Sequence, residues 1–340
     1  MSKTTIKIFE DEIFEIRNLL DESKKTISTT INTTLLTTNW KIGEIIVKYE
    51  QNNNIRAIYG KGTLKEMSKV LTQEFGSGFS RSNLQNMRNF YLEYSICQAV
   101  TGKLSWTHYC ELLSISDKNK RSFYENECIS SSWSTRELKR QINTSLYERL
   151  LLSDKQANKE KIYKLAKKGN EILKPDDIIK DPYVFEFLGI PEDKPFLEND
   201  LEKALITQIE KFMLELGRGF MFVGTQQRVT INNNHYYVDM VFYNKPLRAY
   251  VLIELKTTKL TPEAVGQMNM YLNYYEKEIN DTDDSLPIGI ILCTDKDSIT
   301  AEYALGGVSN QIYASKYVLY IPNKEQLLQQ MEKIISSVNV

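Results

Sequence analysis

Three ionisable residues interrupt two strongly apolar runs: Asp239 in YYVDMVF, and Glu254 and Lys256 in VLIELK. Side chains alternate along an extended strand, so Glu254 and Lys256 leave one side of it while Ile253 and Leu255 leave the other. The two runs are joined by only Lys245-Pro246-Leu247, a connection short enough to make them an antiparallel hairpin. An acid, a second acid and a lysine then converge on one sheet face. Taken singly, Glu254 and Lys256 read as a solvated strand edge. The coincidence with Asp239 changes that reading, because charges inside apolar strands are costly unless something pairs with them. Two carboxylates with a backbone carbonyl make a hard oxygen site that suits Mg²⁺ or Mn²⁺, ions that keep waters and bind phosphate oxygens. A neighbouring ammonium can orient or deprotonate an attacking water.

The elements that must position these groups follow from patterning. LEKALITQIEKFMLEL puts Leu201, Leu205, Ile209, Phe212 and Leu216 on one helical face. Strands are predicted at 221–231, 235–244 and 248–256, the first two joined through Asn232-Asn233-Asn234. Thr261 reads as an N-cap with Pro262 at the first helical position, opening a helix to about 279, before a buried strand at 288–294. The order is αβββαβ. A short helix near 298–305, a strand at 317–322 and a helix at 324–337 are expected to complete a mixed sheet covered by helices. Gly217 and Gly219 read as a helix C-cap; no phosphate-binding glycine loop is present.

Asp239 followed by Glu254-Leu255-Lys256 on successive strands of such a core resembles the PD-(D/E)XK nuclease superfamily, with Val238 standing where the first motif has proline. The string GFMFVGTQQRVTINNNHYYVDMVFYNKPLRAYVLIELKTTKLTPEAVGQMNMYLN is similar to the YhcG-type nucleases of bacteria. Upstream, YGKGTLKEMSKVL, GFSRSNLQNMRNFY, LSWTHYCELL and WSTRELKRQI resemble that family's helical N-terminal domain, so the likeness covers roughly 15–340. The resemblance implies metal-dependent phosphodiester hydrolysis, with Asp239 and Glu254 as ligands and Lys256 beside the water. It implies a supporting role for Gln267 and Tyr271, a Gln-x3-Tyr pair one helical turn apart, with Tyr271 on the nucleic-acid side. A first-helix glutamate helps bind metal in some relatives, and Glu202 is the best-placed candidate.

The first half contains none of the eight prolines, all beyond residue 174, and reads as nearly all-helical. LKEMSKVLTQEFG, a break at Gly76 and Gly78, and a helix capped by Ser80 have the shape of a helix-turn-helix. Arg81, Asn83 and Arg88 are its candidate nucleic-acid contacts, while Leu84, Met87 and Tyr91 face inward. Residues 56–149 hold 14 Lys+Arg against 9 Asp+Glu, a local +5 in a chain of net charge −1, which favours DNA. Trp106 and Trp133 read as core anchors, His108 as a hydrogen-bonded helix residue and His235 as a solvated turn residue.

The expected domains are 1–150, helical and DNA-binding; 151–196, a helical, proline-containing linker; and 197–340, the nuclease domain. The chain is thus α+β. With 41% apolar and 26% charged residues it has a globular composition. No run approaches the roughly 20 apolar residues of a membrane span and no secretory signal is present, so the expected location is cytoplasmic. Cys97, Cys110, Cys128 and Cys293 are far apart and form no CxxC pair, against structural zinc or a disulfide framework. The expected protein is a Mg²⁺- or Mn²⁺-dependent DNA endonuclease, with a homodimer or a defence-system protein as further partners. The alternative is a non-catalytic DNA-binding or protein-interaction subunit of a defence or DNA-processing system.

Overall fold

A computed structural model describes residues 10–52, 60–94, 102–153, 159–191, 197–295, 311–327 and 329. They form two compact units: one holds the chain to Arg121 with Cys128–Leu138, the other Ser122–Glu127 with everything from Lys139 onward.

The first unit is helical. Helix α1 spans Glu10–Asn52, α2 Gly60–Phe75, α3 Arg81–Glu93 and α4 Trp106–Leu112. Helix α2 stops at Gly76, whose φ of 91° is open to a residue without Cβ, and a short 3-10 turn, Ser77–Phe79, leads into α3. Ser80 caps α3 by accepting the Asn83 N–H. Leu84 and Met87 pack inward with Ile46 and Leu64, and Tyr91 meets Trp40 edge-on at 4.8 Å. A Cβ at Gly43 would lie 2.1 Å from the Met87 carbonyl oxygen, so glycine there lets α1 and α3 touch backbone to backbone.

Helices α5 (Lys118–Ser131), α6 (Thr135–Asn143), α7 (Leu146–Leu152) and α8 (Lys159–Lys168) follow. The second unit is built on a six-stranded mixed sheet in the order β1-β6-β5-β4-β3-β2. Its strands are β1 Tyr183–Val184, β2 Phe220–Ile231, β3 Asn234–Asn244, β4 Ala249–Leu255, β5 Ile288–Cys293 and β6 Ile312–Val318. Strands β2, β3 and β4 are antiparallel neighbours, while β4, β5, β6 and β1 run parallel. The β2–β3 turn places Asn232 and Asn233 at φ 47° and 63°, the left-handed pair a two-residue hairpin demands. The predicted helix 201–216 is two: α9 Glu198–Thr207 and α10 Ile209–Leu216 meet at Gln208, whose φ of −116° interrupts the run. Leu201, Leu205, Phe212 and Leu216 still share one core with Ile253 and Leu255. On the other sheet face lies α11, Pro262–Tyr274, capped by Thr261 and continued by a π turn to Ile279. A Cβ at Gly289 would meet Met268 at 2.6 Å, so the glycine of β5 lets α11 close onto the sheet.

Two expectations are corrected. The last strand is 312–318, not 317–322: Ile312, Ser315 and Tyr317 turn inward, whereas Tyr320 and Ile321, the apolar residues that suggested a strand, are 46% and 53% exposed. The stretch expected as a linker contributes β1, with Tyr183, Val184 and Phe185 fully buried. Glu215 anchors it by accepting the Val184 N–H and pairing with Arg149 and Arg140. The helix expected near 298–305 and most of that at 324–337 lie outside the described residues.

Candidate active site

Met240 of β3 pairs with Ile253 of β4, which sets Asp239 beside Glu254 on the face shared with Val241 and Leu252. The ladder ends there. The Leu255 N–H therefore has no strand partner on that side, and it donates to Asp239 Oδ2 at 2.8 Å. Glu254 is only 3% exposed. Its Oε1 accepts from Lys256 Nζ at 3.1 Å, whereas its buried Oε2 has no hydrogen-bond partner. Burial and the neighbouring Asp239 push the Glu254 carboxyl up to about 7, against the pull of Lys256. Burial likewise raises Asp239, although the Leu255 N–H and Lys256 favour its charged form.

Lys256 also donates to Glu198 Oε2 at 3.4 Å, and Glu198 Oε1 accepts the Thr257 N–H at 3.3 Å. Burial works to strip the Lys256 proton, but Glu254, Glu198 and Asp239 outweigh it and leave the ammonium raised above its ordinary value. Lys256 thus stands as an ammonium that donates hydrogen bonds to both Glu254 and Glu198. Glu198 went unnoticed in the sequence, although it precedes Glu202 by one helical turn and the pair shares a face of α9.

Glu202, 8% exposed on α9, reaches Asp239 indirectly. The Gln226 amide donates to Glu202 Oε2 at 2.9 Å and to Asp239 Oδ1 at 3.3 Å. Gln267 donates to the Tyr271 hydroxyl at 2.6 Å, which donates to the Tyr237 carbonyl at 3.0 Å, so this pair ties α11 to β3. Gln267 thus spends its amide on Tyr271 and not on Lys256. Burial raises the Tyr271 hydroxyl, and Glu254 and Asp239 add to it, which places that hydroxyl within their field. His235 is exposed beside Thr230, away from these groups.

The donor chemistry fits a hard divalent cation, since carboxylate oxygens are the only charged acceptors and one of them, Glu254 Oε2, is buried without a partner. Among the described residues no three His, Cys, Asp or Glu side chains are grouped to hold a metal ion by themselves. Two carboxylates with waters are the set on offer, the coordination that Mg²⁺ favours.

The sequence matches the YhcG PDDEXK nuclease domain over residues 176–332 and the DUF1016 N-terminal domain over residues 15–149. The Escherichia coli (strain K12) protein named "Putative nuclease YhcG" is 36% identical over 349 residues, spanning 93% of this chain and 92% of that one. The chain belongs to the YhcG family. Solved structures with likeness include a repair endonuclease from Pyrococcus abyssi, at 19% identity and TM-score 0.25 over 39% of this chain. The EndoMS–double-stranded DNA complex gives 18% identity and TM-score 0.25 over 40%. The chain spans half the length of each. Asp239, Glu254 and Lys256 all fall within the stretch matched by the YhcG nuclease domain.

In the DUF1016 N-terminal domain of this YhcG family member, Arg81 is exposed at the start of α3. Asn83 is engaged internally: its amide donates to the Gly78 carbonyl and its Oδ1 accepts from Trp106 Nε1 at 2.9 Å. Arg88 pairs with Glu50 at 2.8 Å and is half-buried. Trp133 is buried, and Trp106 packs edge-on against Phe90 at 5.5 Å, both as anchors. His108 completes the Ser105 cap of α4 and bonds the Trp133 carbonyl. Among the described residues no helix is long and apolar enough to cross a membrane.

Proposed function

We propose that the chain is a divalent-metal-dependent DNA endonuclease, cytoplasmic, with 197–340 carrying the chemistry and the region up to 150 selecting the DNA. One observation carries the reading: a buried carboxylate oxygen, Glu254 Oε2, left without a partner beside Asp239, while the other oxygen accepts from the Lys256 ammonium two residues on. A structural ion pair would have satisfied both oxygens, because a half-satisfied buried acid is a net cost.

Asp239 and Glu254 would hold Mg²⁺ or Mn²⁺, which supplies neutralisation of the charge that grows on the scissile phosphate. The Leu255 N–H fixes Asp239 and leaves its remaining lone pairs for that task. Lys256, held between Glu254 and Glu198, donates to the attacking water or to a phosphate oxygen. Tyr271, expected on the nucleic-acid side, is fully buried with its hydroxyl proton given to the Tyr237 carbonyl, so with Gln267 it braces α11 against β3 and does not touch the nucleic acid. Arg81 is the free cation of α3 offered to phosphate; Asn83 and Arg88 help only if their internal bonds exchange for DNA contacts. Cutting both strands needs two such sites, which a two-fold pair of copies supplies.

A second reading has an observation of its own. Ile13, Ile16, Leu20, Ile27 and Ile31 are 41–61% exposed along one side of α1, a surface suited to a protein partner, such as a defence-system subunit. Incubating the purified protein with linear, nicked, branched and single-stranded nucleic acids in Mg²⁺, Mn²⁺ or EDTA separates the two. Metal-dependent cleavage supports the nuclease; binding without cleavage in either metal supports the accessory subunit.

A further inference from the structure

We infer that Gln226 is a positioning residue that sets Asp239 for cation binding by tying it to Glu202 of α9, an assignment that rests on the metal-dependent reading above. Strand β2 pairs Thr225 with Met240 and Gln227 with Val238, so Gln226 stands opposite Asp239. Its φ of 48° is left-handed, a conformation that a residue with a long side chain adopts in a strand only when something holds it there. The register slips between Phe222 and Gly224, and a Cβ at Gly224 would lie 2.4 Å from Gln227 Nε2, so the irregularity is accommodated by the small residue beside it.

The result of that strain is specific. One amide nitrogen donates to two acids that come from different elements, Glu202 of α9 and Asp239 of β3. A lysine or arginine there would neutralise the acids and compete with a cation, and a hydrophobic residue would leave them to repel one another. A neutral donor of this length fixes both carboxylates and leaves their charge intact, which is what a cation site requires of its supporting groups.

The test uses the full chain. Manganese binding is measured by calorimetric titration for wild type, Gln226→Gly, Gln226→Asn and Asp239→Asn, with melting temperatures in EDTA. Glycine and asparagine both accept the left-handed backbone; glycine has no side-chain amide, and asparagine's is one methylene too short to span the two acids. Both variants should melt in EDTA no lower than wild type while binding Mn²⁺ about tenfold more weakly, the scale of lost support to a ligand; Asp239→Asn should bind none. Wild-type affinity in both Gln226 variants, with binding lost in Asp239→Asn, overturns the role of Gln226 and keeps the metal site. A fall in melting temperature with unchanged Mn²⁺ affinity also overturns it, because the bond would then be structural. Wild-type protein that binds no Mn²⁺ removes the metal-dependent reading and this inference with it.

Discussion

Replacing Asp239 by asparagine keeps an acceptor for the Leu255 N–H and removes one charge; replacing Glu254 by glutamine removes the other. Each exchange, and Lys256→Ala, should lower cleavage by at least roughly a hundredfold, the scale for loss of a group that stabilises developing charge in a preorganised site. Steady-state rates on a DNA substrate check this, and circular dichroism should show an unchanged fold. Glu254→Gln should also melt above wild type in EDTA at pH 8, since the native acid there is buried, repelled by Asp239 and half-satisfied; a lower melting temperature would contradict that account. These three residues were legible in the sequence because charges inside apolar strands are conspicuous. Glu198 and Gln226 were not. Each sits in an ordinary polar context, and only the helix face of one brings it to Lys256 and the left-handed backbone of the other brings it to Glu202 and Asp239.

The elements that position the site depend on a buried charge outside it. Glu215, fully buried at the end of α10, is pushed up by burial but held down to about 2 by Arg149, Lys180 and Arg140. Its folded value lies below the unfolded one. The resulting stability is fully present above about pH 4.5 and is lost as pH falls towards 2, on the order of 3 kcal/mol in all. Urea midpoints should fall across that window in wild type and stay flatter in Glu215→Gln, which should itself be destabilised by roughly 3–5 kcal/mol because three cations lose their buried partner. The same network decides which fragment folds. Residues 197–340 lack Arg140, Arg149, Lys180 and β1 and should be insoluble or unfolded, whereas 122–340 should give a cooperative melt. This was hidden in the sequence, where Pro175, Pro182 and Pro191 read as linker punctuation although Tyr183, Val184 and Phe185 between them are core residues. The αβββαβ order and the N-caps at Ser80 and Thr261 were legible, because alternation, turn residues and caps are local signals.

For the molecule as a whole, net charge of −1 conceals a helical region with local excess of positive charge. Binding of the full chain to duplex DNA should weaken steeply with salt. Arg81→Ala should reduce both affinity and the steepness of that dependence, by about one counterion. Arg88→Ala should mainly lower stability through the lost Glu50 pair. Fluorescence anisotropy at several salt concentrations distinguishes the two, and equal slopes for wild type and Arg81→Ala would shift the DNA contact elsewhere.

The position of β6 bears on how the protein is made. It is the last strand among the described residues, yet it lies between β5 and β1 inside the sheet. A ribosome that has delivered everything through Cys293 has released Asp239, Glu254 and Lys256, but β5 still presents one bare edge and β1 has nothing to bind. A nascent chain stalled or truncated before Ile312 therefore carries Asp239, Glu254 and Lys256 on an unfinished sheet. If the proposed chemistry holds, cleavage would have to wait until the chain through β6 has emerged, well after the helical region up to residue 150.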